Sequence, residues 1–266
     1  MPGSGLIMLN DLVSGQIELT DAGVTFAPSL ARFFQTTPGC LEIHVPADVC
    51  LRLTLTNAAT LFSMQFHLDV GARLECGLIT EGQVSQSMQI QVYCQERSQC
   101  DLEHALLSHG QYDESLKVYL QGKAAAVKLR GLQYGRGKSV LQHNLAVYHE
   151  ADETCSDIEF RGVADEQSRV IFAGLIHVPK HVKGIDANEQ SRNILLSNRA
   201  EIQAKPELEI YSNDIAACRH GASIGNLDEN ALFYLQSRGF VESEARLILI
   251  NAFMASLFER IQLGAL

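Results

Sequence analysis

The sequence contains few basic residues, and this shortage limits the partners that the chain can attract. Lysine and arginine total 21 against 31 aspartates and glutamates, which gives a formal net charge of −10. A charge of this sign repels a phosphate backbone, and no run of basic residues offsets it. Nucleic acid is therefore excluded as an expected partner.

Long apolar runs and targeting signals are also missing. The opening residues, MPGSGLIMLNDLVSG, have neither the basic segment nor the apolar core of a secretory signal. No uninterrupted apolar stretch reaches the length of a transmembrane helix. The seven cysteines are odd in number and show no framework of paired spacings, so we expect free thiols in a reducing cytoplasm.

Most of the chain has the pattern of short strands. From about residue 41 to residue 225, apolar residues alternate with polar ones in segments such as LEIHV, MQIQVYC and LKVYL. Turn-forming segments such as TEGQ and VADEQS separate them, and later strand segments begin at residues 139, 154 and 168. This pattern fits a β-sandwich and a parallel β-helix equally, and the alternation alone does not decide between them.

The pattern changes after Gly225, so the sequence predicts a β core over 1–225 and a helical segment over 226–266. NLDENALFYLQSRG has acidic residues in a first turn and ends on glycine, which is typical of a short helix. A second helix follows, for which Ser243 is the expected N-cap. Its apolar residues recur at spacings of three and four on one face: Leu247, Ile250, Met254, Leu257 and Ile261. The segment is too short to build a core of its own, so this face must rest on the β core or on a partner.

A glycine-rich stretch, GLQYGRGKS, resembles a nucleotide-binding loop without matching it. The P-loop pattern needs a glycine five positions before Gly137, where this chain has Leu132. The residues that follow alternate as in a strand, whereas a P-loop leads into a helix. We therefore expect a turn between two strands and no nucleotide bound by this chain.

The common hydrolytic motifs are missing, so we predict no catalytic residues and no enzymatic activity. The sequence has neither a G-x-S-x-G elbow nor an HExxH zinc motif. His177 and His181 are four residues apart, but Pro179 between them argues against a metal-binding helix face. Cys94 continues the apolar face of its strand segment and is expected to be a small core residue.

One segment, IAACRHGASIG, combines side chains that suit a metal. Cys218 and His220 are two residues apart, so in a strand they project from the same face, with Arg219 on the other. A thiolate beside an imidazole can ligate a soft transition metal or an iron–sulfur cluster. Two ligands do not complete a tetrahedral site, so the others would come from elsewhere in the fold or from a second chain. On spacing alone, a buried cysteine beside a surface histidine remains the other interpretation.

The same region carries a family resemblance. QSRNILLS and KPELEIYSNDIAACRHGASIGNLDENALFYLQSRGF resemble the shared C-terminal core of the SufB and SufD proteins, the scaffold components of the SUF iron–sulfur assembly system. The resemblance is dense from about residue 139 to 261 and looser from 6 to 138. The Cys-x-His-Gly tract at 218–221 is similar to the SufD branch of the family. SufB-like chains have a scaffold cysteine at the position where this chain has Ala200.

The resemblance implies a fold and a set of partners. It implies a right-handed parallel β-helix with a C-terminal α-helical segment, and so decides against the sandwich. It also implies pairing with a SufB-like subunit through the ends of the two β-helices, where His220 and its neighbour Cys218 help to hold a nascent, transient iron–sulfur cluster. The helical segment is where the family docks the ATPase SufC. The face formed by Leu247, Ile250, Met254 and Leu257 is either that docking surface or a surface packed against the β-helix.

The sequence leaves several alternatives open. Family members usually have a helical domain before the β-helix, whereas this chain enters strand-like sequence almost at once, so any function of that domain is in doubt here. Two rival functions remain, a purely structural partner that does not touch metal and a β-helix enzyme that acts on polysaccharides. An exposed β-helix end would also let the chain pair with itself when no SufB is present.

Overall fold

The structure, a computed structural model, describes residues 12–20, 23–26, 32–37, 39–56, 62–83, 85–258 and 261. Residues 1–11, where we predict no secretory signal, lie outside the described residues. The strands are β1 (Leu12–Thr20), β2 (Gly23–Phe26), β3 (Phe34–Thr37), β4 (Cys40–Val45), β5 (Cys50–Thr56), β6 (Ser63–Leu68), β7 (Arg73–Gly82), β8 (Gln86–Cys94), β9 (Gln99–Ser108), β10 (Gln111–Leu120), β11 (Ala126–Gly135), β12 (Val140–His149), β13 (Cys155–Ala164), β14 (Arg169–Val178), β15 (Ile185–Leu195), β16 (Glu201–Ile210) and β17 (Ile215–Asn226). The α-helices are α1 (Glu229–Ser237) and α2 (Glu242–Ala255).

The strands form two sheets, which the chain visits alternately. The odd-numbered strands from β5 to β17 pair in parallel in one sheet, and the even-numbered strands from β4 to β16 pair in parallel in the other. Each of these strands therefore pairs with the strand two positions along the chain, and the chain coils through about six turns. Antiparallel pairing within the described residues is confined to β1 with β2 and β3 with β4. The predicted parallel β-helix with C-terminal helices is confirmed, and the sandwich is excluded.

Because apolar and polar residues alternate along each strand, buried side chains alternate with more exposed ones. In β12 and β14 every second side chain is buried, and the register places buried side chains of successive turns next to one another. Leu141 lies beside Val170 in this way, and Val147 beside Ile176. The interior of the coil is thus a set of apolar columns, whose removal from water stabilises the fold.

One corner of the β-helix repeats in backbone conformation rather than in sequence. Six residues at this corner have φ between 56° and 69°: Asp48, Gly71, Arg97, Ala124, Glu153 and Gly184. Each donates its N–H to a carbonyl of the following turn, for example Arg97 to Lys123 at 2.9 Å. Four of the six are not glycine, although the left-handed conformation costs such residues about 1 kcal/mol. The bond between turns offsets this cost, and it lets the corner repeat without a visible sequence repeat.

The glycine-rich stretch GLQYGRGKS contains the end of a strand and the turn after it, and the predicted turn between two strands is confirmed. β11 ends at Gly135, Gly137 has a φ of 66°, and β12 begins at Val140. The stretch is followed by a strand that pairs with β10 and β14, so it does not have the helix that a P-loop requires.

The two helices occupy the predicted region, with one difference at a cap. Asp228 caps α1 by accepting hydrogen bonds from two N–H groups of the first turn, at 2.9 and 3.3 Å. For α2 the predicted N-cap, Ser243, is wrong, because the helix already begins at Glu242. The Glu244 carboxylate accepts a hydrogen bond from the Val241 N–H at 3.2 Å, which moves the cap two residues earlier. Neither helix has the length and apolarity needed to span a bilayer.

The helical segment packs on the outer face of the odd-numbered sheet. Ile250, Met254 and Leu257 are buried, whereas Leu247 is only half-buried. The buried three form one cluster with side chains of the β-helix, among them Leu132, Tyr134, Val163 and Ile194. Most of the predicted apolar face therefore rests on the β core.

Polar contacts reinforce this packing. Arg161 of β13 is buried; it donates to the Ser256 Oγ at 2.6 Å and to the backbone carbonyl of Phe253. Farther along the chain, the N–H of Ile261 donates to the buried Glu103 carboxylate at 2.9 Å. Hydrogen bonds to buried charged groups stabilise a fold, so these contacts link the helical segment to the coil.

Replacing Met254 by aspartate should release the helical segment while the β-helix stays folded. Met254 is 1% exposed, and burying an unpaired carboxylate costs several kcal/mol. Limited proteolysis should therefore cut the chain after residue 226 at least about tenfold faster, because local opening controls cleavage. The matched control is Phe233→Asp, which changes a side chain that is 71% exposed and should leave the rate unchanged. Equal rates for M254D and the wild type would show that the segment is not held by this packing.

Candidate functional site

The last turn of the coil, β16 and β17, has no described strand beyond it, and we call it the open end. Its two edges differ in sequence. β16, EIQAKPELEI, contains Pro206 and four charged residues, whereas β17, IAACRHGASIGN, contains no proline and Arg219 as its one permanent charge. Proline and charge are the features that keep sheet edges from pairing. The edge of β17 is therefore the one suited to pair with another strand.

Cys218 and His220 lie on this edge strand. In the ladder with β15, Cys218 pairs with Ala187 and His220 pairs with Glu189, both fully buried. The two side chains thus continue inward-facing columns into the last turn. Cys218 is half-buried and packs against the main core, whereas His220 is exposed because no further turn covers it.

The surroundings keep the Cys218 thiol protonated near neutral pH. Burial raises the pKa of the thiol, and the Asp186 carboxylate raises it further, while Arg219 lowers it. Arg219 projects from the other face of the strand, where its guanidinium lies 3.7 Å from Asp186. Since thiolate is the form that ligates metal, metal binding here would displace a proton from Cys218.

On the inner face of the odd-numbered sheet, polar side chains become more frequent in the turn next to the open end. The inward positions of β13 include Ile158 and Phe160, whereas those of β15 include Glu189, Ser191 and Asn193, all buried. This change was not predicted from the sequence. It places polar side chains directly beneath the edge strand that carries Cys218 and His220.

Glu189 is the most unusual of these residues. It is 0% exposed, and neither carboxylate oxygen has a hydrogen-bond partner among the described residues. Burial, with a smaller contribution from Glu207, raises its pKa to about 7. Its side chain crosses the interior to Gly174 of β14, where an added Cβ would overlap Oε1. The glycine at 174 thus makes room for the carboxyl group.

Within the part of the chain that the structure describes, no three His, Cys, Asp or Glu side chains converge as a metal site. The open end therefore offers two donors, a thiol and an imidazole, rather than a complete ligand set. Sulfur and imidazole nitrogen suit iron, zinc and iron–sulfur clusters better than calcium or magnesium.

Comparison with known proteins identifies the family. A family model described as SUF system FeS cluster assembly, SufBD core domain, matches residues 47–253. The chain belongs to the SufBD core family. The match includes β17, and therefore both Cys218 and His220, and confirms the resemblance found in the sequence.

Several curated SufBD-family proteins are similar to parts of the chain. The iron–sulfur cluster assembly protein SufD of Escherichia coli K12 is 38% identical over 100 residues, which are 38% of this chain and 23% of SufD. A SufBD-family protein of Synechocystis is 38% identical over 152 residues, 57% of this chain and 33% of that protein. One from Mycobacterium leprae is 27% identical over 154 residues, 55% of this chain and 39% of that protein. The chain thus matches well under half the length of these relatives.

The other histidine pair considered in the sequence does not form a site. His177 belongs to a column of aromatic rings on the outer face of the even-numbered sheet and makes tilted contacts with Tyr148 at 5.7 Å and Tyr211 at 5.8 Å. His181 lies in the turn after β14.

Cys94 is fully buried as predicted, and burial raises the pKa of its thiol to about 12, so it is an inert core residue. None of the seven cysteines, all of which the structure describes, forms a disulfide, as expected.

A second buried polar cluster was not predicted from the sequence. His104 of β9 and His143 of β12 each place Nδ1 3.0 Å from an oxygen of Glu114 on β10. All three side chains are buried, and a cavity of about 20 Å³ borders the two imidazoles. Their one sequence signal is a polar residue at an inward position of an alternating strand, and only the coiling of the chain brings them together.

The cluster makes stability depend on pH. Burial by itself would raise the pKa of Glu114, but His104 and His143 outweigh it through charge and hydrogen bonds and hold the pKa well below its ordinary value. A carboxyl group whose pKa is depressed in the folded state stabilises the fold above its unfolded pKa. That stabilising contribution is lost as the pH falls below about 4.3, the pKa of an unperturbed glutamate, toward the lower pKa of Glu114 in the folded state.

Glu114→Gln should lower the free energy of unfolding at pH 7 by about 3 kcal/mol, because it removes the buried carboxylate that both imidazoles contact. The loss of stability on acidification below about pH 4.5 should also become shallower than in the wild type. Urea unfolding monitored by circular dichroism from pH 7 to pH 3 measures both effects. Glu81→Gln, at an exposed position, is the control and should follow the wild type. An E114Q curve parallel to that of the wild type would contradict the assignment.

Proposed function

We propose that this chain is a SufD-like, non-catalytic scaffold subunit of iron–sulfur cluster assembly, which pairs with a SufB-like subunit through the open end. The observation that carries the proposal is the position of Cys218 and His220 on the unpaired edge strand β17. A partner strand added to β17 would satisfy its free backbone groups. It would also bring the ligands of a second chain beside the imidazole.

The surface around the open end supports an interface. Ile210, Tyr211 and Ile224 belong to the last turn or follow it directly, and they are 37%, 59% and 47% exposed. Exposed apolar side chains at both ends of an unpaired edge strand suit a surface that another protein covers. The same edge would let two copies of this chain pair when the SufB-like subunit is absent.

The ligands divide between the two subunits in this proposal. Ala200, where SufB-like chains have a cysteine, directly precedes β16 and so belongs to the same last turn. A cysteine at that position of a SufB-like partner would then lie at the partner's own open end. The partner supplies thiolate, and this chain supplies the His220 imidazole with Cys218 beside it.

The nascent cluster is cargo of the complex and must leave it. Neutral imidazole donates less electron density to iron than thiolate does, so mixed ligation favours release. His220 lies on the exposed side of the last turn, where separation of the two subunits would uncover it. The cluster would thus be assembled at, and released from, the same interface.

A SufC-like ATPase docks on the helical segment, and nucleotide acts on this chain only through it. Since Ile250, Met254 and Leu257 are buried against the coil, the docking surface lies on α1 and the turn after it. α1 has no buried residue. Its exposed apolar side chains and those of the turn are Phe233 (71%), Tyr234 (57%), Phe240 (41%) and Val241 (59%). Seven cysteines without a disulfide fit a cytoplasmic location for this complex.

His220→Ala should lower cluster assembly in the reconstituted complex several-fold while leaving co-purification with the SufB-like and SufC-like subunits intact. Iron and sulfide content of the purified complex measures assembly. His181→Ala, which removes an exposed histidine from a turn, is the control. If a chain with both Cys218→Ser and His220→Ala assembled normal cluster, the purely structural role would be correct instead.

Phe233→Asp should abolish capture of the SufC-like ATPase while pairing through the open end persists. The change places a charge in an exposed apolar surface, and a central apolar anchor contributes about 2 kcal/mol or more to an interface. Pull-down of each partner separately distinguishes the two surfaces. Glu229→Gln, at the exposed start of α1, should bind as the wild type. Normal capture by F233D would move the docking surface elsewhere.

A further inference from the structure

Glu189 lies in a column whose other members are apolar until the last two turns. The register of the odd-numbered sheet aligns four buried positions with one position on the edge strand. In order along the coil these are Leu102, Leu129, Ile158, Glu189 and, at the edge, His220. The first three are buried apolar side chains. The column therefore changes to a carboxyl group at the turn directly beneath the proposed ligand.

Packing does not account for this carboxyl group. An aliphatic side chain fills the same column one turn earlier, at Ile158, and would fit the interior without an unpaired polar group. A buried carboxylate without a partner costs several kcal/mol, and both oxygens of Glu189 lack one among the described residues. Gly174 also leaves the space that the group occupies. Glu189 on one sheet and Gly174 on the other thus both favour a buried carboxyl group, although this group destabilises the isolated chain.

The partner that Glu189 lacks is available one turn away. Neighbouring strands of a sheet are about 4.8 Å apart, and Glu189 and His220 are directly paired across β15 and β17. His220 is exposed, so its ring is free to change rotamer. A histidine ring held over Glu189 has one nitrogen directed to the interior and the other directed to the open end.

We propose that Glu189 is a positioning residue for His220. Its carboxylate accepts a hydrogen bond from one ring N–H of His220, which leaves the other ring nitrogen free at the open end to ligate metal. Histidines that ligate metal commonly donate their second ring N–H to a carboxylate, which fixes the tautomer and the ring orientation. The inference rests on the ligand role of His220 proposed above. The contact forms when metal holds the ring over the last turn.

The test uses Zn²⁺ alone as the probe and the full chain without partners. Calorimetry should show that Glu189→Ala weakens Zn²⁺ binding by about 10- to 100-fold, the usual effect of removing such a carboxylate. Glu189→Gln should lose less, because the amide oxygen still accepts the hydrogen bond. In the Zn²⁺-saturated protein labelled with ¹⁵N-histidine, the His220 ring N–H should be visible by NMR in the wild type and E189Q and absent in E189A.

Matched variants separate the possible failures. Glu207→Ala removes an exposed carboxylate near Glu189 on β16 and should change the affinity less than twofold, which excludes a general effect of charge. Wild-type affinity in E189A, or equal losses in E189A and E189Q, would overturn the positioning role. If His220→Ala and Cys218→Ser also bound Zn²⁺ as the wild type does, the ligand pair of the proposed function would be wrong as well. Loss of binding in those two variants alone would leave the pair correct and Glu189 without a role.

Discussion

The parallel ladder between successive turns is the interaction on which the rest of this structure depends. Each strand satisfies its backbone N–H and C=O groups with the strand one turn before and one turn after it. The ladder fixes the register, and the register stacks the inward side chains into columns. It also requires that a coil end with unpaired edges. The candidate site is a direct consequence, because Cys218 and His220 lie on the last strand that the ladder reaches.

The columns explain why the site can be polar without disturbing the coil. Apolar side chains fill most of the earlier turns, where Phe160 and Phe172 stack at 4.3 Å across the interior, and the mid-coil carboxylate of Glu114 is paired with His104 and His143. The polar positions Glu189, Ser191 and Asn193 come only in the turn beneath the edge. An unpaired polar group there weakens a turn that already has one free side, whereas the same group in mid-coil would interrupt the packing of both neighbouring turns.

The spacing of residues along the chain predicted those structural features that depend only on residues close together in sequence. The turn at Gly137, the short helix that follows Asp228 and the shared face of Cys218 and His220 all follow from residues within one element. The coil itself does not, because alternation looks the same in a sandwich and a β-helix; the family resemblance decided the fold. Contacts between successive turns of the coil could not be predicted from the sequence either. Glu189 and His220 are 31 residues apart, and non-glycine residues such as Arg97 conceal the repeated corner.

The helical segment connects the two proposed surfaces mechanically. β17 ends at Asn226 and α1 begins at Glu229, so only two residues separate the free edge strand from the exposed helix. α2, in contrast, is anchored to the outer face of the odd-numbered sheet by Met254 and by the contacts of Arg161. A partner that displaces α1 while α2 stays anchored therefore acts on the C-terminal end of β17. Movement of an ATPase on this helix would thus reach the edge where the cluster is proposed to form, without passing through the core.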